Sequence, residues 1–374
     1  MPSAERIEEL LETRRDVGAT PVARFEIRYS RYLDPKGNPV RPLPDFARDP
    51  GELVSLYRGM VLARRFDAKA VALQRTGRLG TFASSLGQEA VSVGVASAMR
   101  ADDVLLPSFR EHGGQLLRGV SPVELLLFWG GDERGSDFAE ACEDFPVCVP
   151  VGTHAPHAVG VALAFKLRRE KRVAACIFGD GATSKGDVAE ALNVAGVWNL
   201  PAVFLINNNH WAISVPVSQQ TAAETLAQKA ISAGIEGEQV DGNDVIAVRE
   251  ATARALAKAR AGGGPHLIEA LTYRLGDHTT ADDASRYRSG PDVSAHWAED
   301  PITRLRNYLV AERLWGKTDE EKLLGEVSGA IERAAETYLA TPPQGPETIF
   351  DYTYERLPKD LVEQREAALG AVQR

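Results

Sequence analysis

A chain of 374 residues that is 44% apolar has enough hydrophobic material for one large core or two modest ones. Its 43 Lys and Arg against 52 Asp and Glu leave a formal net charge of −9, which argues against a general nucleic-acid binder. The three cysteines, Cys142, Cys148 and Cys176, form no CxxC pair, as suits a reducing compartment and no structural zinc.

The opening stretch "MPSAERIEELLETRRD" is charged and lacks the apolar centre of a signal peptide. The strongest apolar runs, "VELLLFW" and "LPAVFLI", fall far short of the ~20 residues of a membrane span, so a cytoplasmic protein is expected. Residues 1–48 read as an arm, because "LDPKGNPVRPLPD" carries four prolines and a glycine turn. From Pro50 to Arg75 the pattern is helical, and "SSLGQEAVSVGVASAM" reads as a second helix that Gln88 and Glu89 open as capping residues.

From Pro146 strands and helices alternate. "VCVPVG", "RVAACIF", "PAVFLIN" and "PHLIEALTYR" read as strands; "APHAVGVALAFKLRRE", "DVAEALNVAGVWN" and "NDVIAVREATARALAKAR" read as helices. Uninterrupted apolar strands between amphipathic helices predict an α/β fold with a parallel sheet covered on both faces. In the helix at 187–199, Val188, Ala191, Leu192, Ala195 and Trp198 share one face, and Asp187 with Glu190 resembles a capping box. The 21 residues Gly276–His296 are polar without periodicity, longer than the ~12–15 residues usual for an idle loop. Helices separated by "TPPQGP" follow. The expected organisation is an arm (1–48), an α/β domain (49–300) and a helical extension of that domain (301–374).

Two strand ends carry the chemistry. "RVAACIF" runs into "GDG", Gly179 to Gly181, and "PAVFLIN" runs into "NNN", Asn207 to Asn209; 26 residues separate Gly181 from Asn208. A right-handed βαβ crossover leaves both strand ends on one sheet edge, where α/β folds bind ligands. Alone, GDG also fits a plain turn. Paired with an asparagine end it gives a carboxylate and an amide oxygen, donors that Mg²⁺ or Ca²⁺ takes. Glycines beside a helix N-terminus let backbone N–H groups approach an anion. The inference is a diphosphate held through a bridging magnesium ion.

GDG, 26 residues and NN resemble the thiamine diphosphate-binding motif. "LPSFREHG", "GDGATSKGD", "NNNHWAIS", "QVDGNDVIAV" and "HLIEALTYRLGDHTTADDASRYRS" together resemble the α subunit of the 2-oxo acid dehydrogenase first component, over about Pro50 to Tyr308. The resemblance implies a thiamine diphosphate-binding α/β fold, two α and two β subunits, and a lipoyl-bearing acyltransferase as recipient of the acyl group. It implies Asp180, Asn209 and the backbone oxygen of Trp211 as magnesium ligands. Gly179, Gly181 and Ala182 would line the diphosphate and Arg110 would pair with a phosphate. Phe109 stands where the family usually has tyrosine, so only packing is expected of it. Asn207 stands where relatives often carry Arg, Glu or Gln. Val149 and Val151 would present backbone near the pyrimidine, and His278 would be the active-site histidine. Arg274, Asp282, Tyr287 and Arg288 are expected to brace the loop that carries it. His112 either reaches the phosphate site or caps the next helix; His154 and His157 read as structural. The implied reaction is oxidative decarboxylation of pyruvate, with branched-chain 2-oxo acids second and acetoin third. A non-catalytic assembly subunit is the rival of another class.

Overall fold

The computed structural model of the chain describes residue 20, residues 22–351 and residues 353–372. The start of the expected arm, residues 1–19, lies outside them. The strands are β1 (Tyr29–Ser30), β2 (Val104–Leu106), β3 (Ala174–Gly179), β4 (Ala202–Asn208), β5 (Trp211–Ala212), β6 (Val215–Pro216), β7 (Glu236–Asp241) and β8 (His266–Leu271). Six of them form one sheet in the order β1-β7-β8-β4-β3-β2. Every pairing in that sheet is parallel. β5 and β6 form a separate antiparallel hairpin.

The uninterrupted apolar strands have a simple origin. Successive side chains of a strand point to opposite faces, and here both faces are buried. Ala174, Cys176 and Phe178 enter one core, together with Ala202, Phe204 and Ile206. Helices His154–Arg168 and Gly186–Val197 cover that face. Ala175, Ile177, Val203 and Leu205 enter the other core, covered by helices Glu89–Ala98 and Val245–Arg260. A third core joins helix Pro50–Arg75, whose bounds are those expected from sequence, to helices Pro301–Ala311 and Lys317–Ala340. No helix among the described residues is long and apolar enough to cross a membrane.

Four local expectations are corrected. "VCVPVG" is not a strand: residues 147–152 form an irregular turn in which Pro150 has no N–H for a ladder. The 187–199 helix is Gly186–Val197, and no side chain caps it; Asp187 instead lies 3.8 Å from Lys185. Trp198 lies past its last turn and is 48% exposed, because Asn199 at φ 48° already swings the chain toward β4. The long polar loop ends in a helix, Gly290–His296, which Ser289 caps by accepting from the Asp292 N–H. Polar spacing hid that helix, since none of its residues is buried.

Candidate functional site

β3 and β4 are neighbours with Gly179 opposite Asn207, so the segments that follow them leave the same edge of the sheet. A cavity of about 470 Å³ opens there. All twelve residues expected at the site line it: Phe109, Arg110, Val149, Val151, Gly179, Asp180, Gly181, Ala182, Asn207, Asn209, Trp211 and His278. The two glycines of GDG serve different ends. A Cβ on Gly179 would meet nothing within 4 Å, whereas one on Gly181 would come within 2.7 Å of the Ala212 Cβ. Gly179 therefore keeps the cavity open and Gly181 lets the β5 segment pack closely.

Asp180 is 1% exposed. Its Oδ2 accepts from Gln220 Nε2 at 2.6 Å. Burial pushes its pKa up from the ordinary carboxylate value. A buried carboxylate whose hydrogen-bond partner is a neutral amide is stabilised by any cation brought to it. The main chain of Asn209 lies against it. Asn209 Oδ1 accepts from the Trp211 N–H at 3.2 Å, and its Nδ2 donates to Gln88 Oε1 at 2.9 Å. Both ends of the Asn207 amide are taken: Nδ2 donates to Gln88 Oε1 at 3.3 Å and Oδ1 accepts from the Thr272 hydroxyl at 2.8 Å. No group of three or more His, Cys, Asp and Glu that could hold a metal occurs among the described residues. The oxygens of Asp180, Asn209 and the Trp211 main chain are of the type that a hard cation takes when phosphate and water supply its other ligands.

Two arginines lie close by, and Arg110 lines the cavity. Arg110 and Arg274 are both buried. Arg110 donates to the carbonyls of Ser84 at 2.6 Å and His278 at 2.7 Å, and to His278 Nδ1 at 2.8 Å. Arg274 donates to the Ile213 carbonyl at 2.7 Å, the Tyr287 hydroxyl at 2.8 Å and the Trp211 carbonyl at 3.2 Å. None of these partners is anionic. Burial, and then the nearby Arg274 charge, brings Arg110 down to about 10. Arg110, a desolvated guanidinium on the cavity wall bonded to neutral acceptors, is suited to receive an anion, with the Arg274 charge behind it.

His278 sits between them. With guanidinium donors on Nδ1, the imidazole is neutral and its proton is on Nε2. Burial first, and then the Arg110 and Arg274 charges, pull its pKa down to about 4. The expected bracing is present. The His278 N–H donates to Asp282 at 2.9 Å, and Tyr287 bonds Asp282. Arg288 donates to the carbonyls of Arg274 and, at 2.8 Å, Gly276. Phe109 packs edge-on against the His278 ring at 5.9 Å between centroids.

The other histidines fall into place differently. His112 neither lines the cavity nor caps with its side chain. It accepts from Trp129 Nε1 at 3.0 Å and stacks on Phe82 at 5.0 Å. His154 bonds the Ile177 carbonyl at 2.8 Å and His157 packs on Phe145, as structural residues do. Burial, then the Arg110 charge, takes His112 from its ordinary 6.5 down to about 3. The unfolded chain thus binds a proton that the folded chain refuses, and stability drains away as pH falls from about 6.5 toward 3. The slope is up to about 1.4 kcal/mol per pH unit. His112→Phe removes this loss but leaves the Trp129 N–H without its acceptor, costing about 1 kcal/mol. The variant should be the less stable protein at pH 7 and the more stable one at pH 4.5 in denaturant titrations. A gap independent of pH would refute the neutral, buried assignment.

Sequence reasoning missed Gln88, Gln220 and Glu111. Gln88 makes no cap bond; its side chain turns to Asn207 and Asn209 instead. Glu89 bonds Arg64 and the Gly87 N–H. Glu111 is 1% exposed, accepts from Ser108 at 2.6 Å and is lifted by burial to about 7. No local pattern marks any of them, because each partner lies on another element or is set by burial.

Comparison with known proteins identifies the family. The family described as Dehydrogenase E1 component matches residues 57–347. A relative from Mycobacterium tuberculosis, "3-methyl-2-oxobutanoate dehydrogenase subunit alpha", is 45% identical over 312 residues, covering 83% of this chain and 85% of that protein. "Pyruvate dehydrogenase E1 component subunit alpha" of Staphylococcus epidermidis is 40% identical over 340 residues, covering 90% and 91%. The protein of the same name from Mycoplasma genitalium is 36% identical over 338 residues, covering 90% and 94%. Such coverage, together with a parallel sheet whose GDG and NNN ends meet at one cavity, means that the chain belongs to the dehydrogenase E1 component family, a thiamine diphosphate-dependent family, as the α subunit of a 2-oxo acid dehydrogenase.

Proposed function

We propose that this chain anchors thiamine diphosphate through Mg²⁺ at the β3–β4 edge and, with a β subunit, carries out oxidative decarboxylation of pyruvate, passing the acyl group to a lipoyl-bearing acyltransferase. One observation carries the reading: a buried carboxylate bonded to a neutral amide, Asp180, lines the same cavity as two buried guanidinium-bearing residues' neighbour His278 and the Arg110 side chain. That pairing of needs is met by a cation bridged to a diphosphate. Asp180, Asn209 and the Trp211 carbonyl would hold the cation. Gly179, Gly181 and Ala182 would face the diphosphate, with Arg110 paired to it. Phe109 would pack, Asn207 would steady its neighbours, and Val149 and Val151 would present main chain to the pyrimidine.

When bound, the cofactor supplies the electron sink for decarboxylation. His278 would be the catalytic residue, holding or moving a proton at Nε2. Two α and two β subunits form the working unit, the β chain covering the mouth where Val149, Val151 and Ile213 are about half exposed. A second reading, with 3-methyl-2-oxobutanoate as substrate, is favoured by the 45% identity to the mycobacterial relative. The test is reconstitution with the β chain. Thiamine diphosphate binding should require Mg²⁺, and kcat/KM for pyruvate should exceed that for 3-methyl-2-oxobutanoate. The reverse ratio selects the second reading. Binding indifferent to Mg²⁺ would favour an assembly subunit.

A further inference from the structure

Gln88 ends the turn before helix Glu89–Ala98, more than a hundred residues from the asparagines it touches. Its residue is 2% exposed and it lines the cavity. One oxygen, Oε1, takes donors from Asn209 at 2.9 Å and Asn207 at 3.3 Å. Its Nε2 is buried and has no hydrogen-bond partner. Helix capping accounts for neither fact.

We infer that Gln88 is the positioning residue of the cation site, fixing which end of the Asn209 amide faces the metal and offering its own Nε2 to the anion. The inference rests on the Mg²⁺–diphosphate reading above. An asparagine amide has two ends of similar shape and opposite polarity. Presenting the NH₂ end to a divalent cation is repulsive; presenting Oδ1 makes a ligand. Gln88 Oε1 claims Nδ2, and the Trp211 N–H at 3.2 Å from Oδ1 agrees with that orientation. Asn207 supplies the second donor on Oε1, and its own Oδ1 is held by Thr272 at 2.8 Å. With Oε1 held from two sides, the Gln88 amide cannot turn over without losing both bonds. Its Nε2 then stays free for a phosphate oxygen, which a buried donor favours strongly.

Outer partners of a metal ligand typically change metal affinity by about 10- to 100-fold. Two variants separate the contributions in the complex with the β chain. Gln88→Met keeps the volume and removes both polar ends. Gln88→Glu keeps oxygens for both asparagines and removes the donor. Mg²⁺ is titrated at fixed thiamine diphosphate, and thiamine diphosphate at saturating Mg²⁺, using the fluorescence of Trp129 and Trp211, which line the cavity. Melting without ligand is recorded in parallel.

Gln88→Met should raise the Mg²⁺ needed for half-saturation about 10- to 100-fold. Gln88→Glu should restore that requirement to within roughly threefold while weakening thiamine diphosphate about tenfold, the effect of one lost charge-assisted bond. A Met variant that melts lower but keeps the wild-type Mg²⁺ requirement has lost only a structural contact, and overturns the inference. Should that variant fail to fold, the Glu variant decides: thiamine diphosphate affinity equal to wild type overturns it. Wild-type binding that ignores Mg²⁺ sinks the cofactor reading itself, a result distinct from either variant outcome.

Discussion

Asp180→Asn should weaken Mg²⁺-dependent binding of thiamine diphosphate by at least about 100-fold, roughly 3 kcal/mol. The change keeps the side-chain shape and an oxygen but removes the charge that a divalent cation needs in a buried place. Turnover with the β chain should fall in step. The unliganded protein should respond in the opposite sense. Burial raises the Asp180 pKa, so its contribution to stability is fullest below the unfolded carboxylate value and is lost as pH rises through the folded value. A neutral amide carries none of the burial cost that raises the carboxyl, so the asparagine variant should melt no lower than wild type. Calorimetric titration and melting curves on the same preparations give both readouts. Undiminished Mg²⁺-dependent binding would end the assignment of the cation site to this edge of the sheet.

Gly179→Val should separate folding from binding even more sharply. Gly179 has φ −79° and ψ 168°, a conformation open to any residue and congenial to valine at a strand end. The space beside it is empty, so the folded protein has room for the side chain. That space belongs to the cavity, so the isopropyl group would stand where a diphosphate must come closest to the backbone. Stability within about 0.5 kcal/mol of wild type is expected, with thiamine diphosphate binding reduced beyond about 100-fold. The same exchange at Gly181 should differ. There the new carbons run into Ala212, so stability falls along with affinity. Equal melting losses at the two glycines would show that Gly179 is structural.

Much of this arrangement was legible before any coordinates. β3 and β4 announce themselves because both of their faces are covered, which leaves runs such as "AACIF" and "AVFLI" with no polar interruption. The two motifs at their ends follow from parallel order alone, since neighbouring parallel strands finish on one side. The turn at 147–152 misled because valines flanking Pro150 have strand-like composition, while the proline denies the ladder a donor. Trp198 misled because helical periodicity continues on paper past the residue where Asn199 turns the chain. Arg274 was expected as a brace, but its grip on the Trp211 and Ile213 carbonyls could not be read, since these acceptors are main chain and leave no trace in side-chain pattern. Gln88 was hidden for a related reason: its partners are 119 and 121 positions away.

The division of β3 between two cores sets a limit on how such a chain can vary. Ala174, Cys176 and Phe178 feed one side, Ala175 and Ile177 the other. Inserting or deleting a single residue in that strand would exchange every side chain between the two sides. It would also carry the acid at the strand's tip one step out of line with the asparagines on β4. The strand thus serves as a ruler of fixed length, and lengthening is tolerated only in the connections beyond its ends.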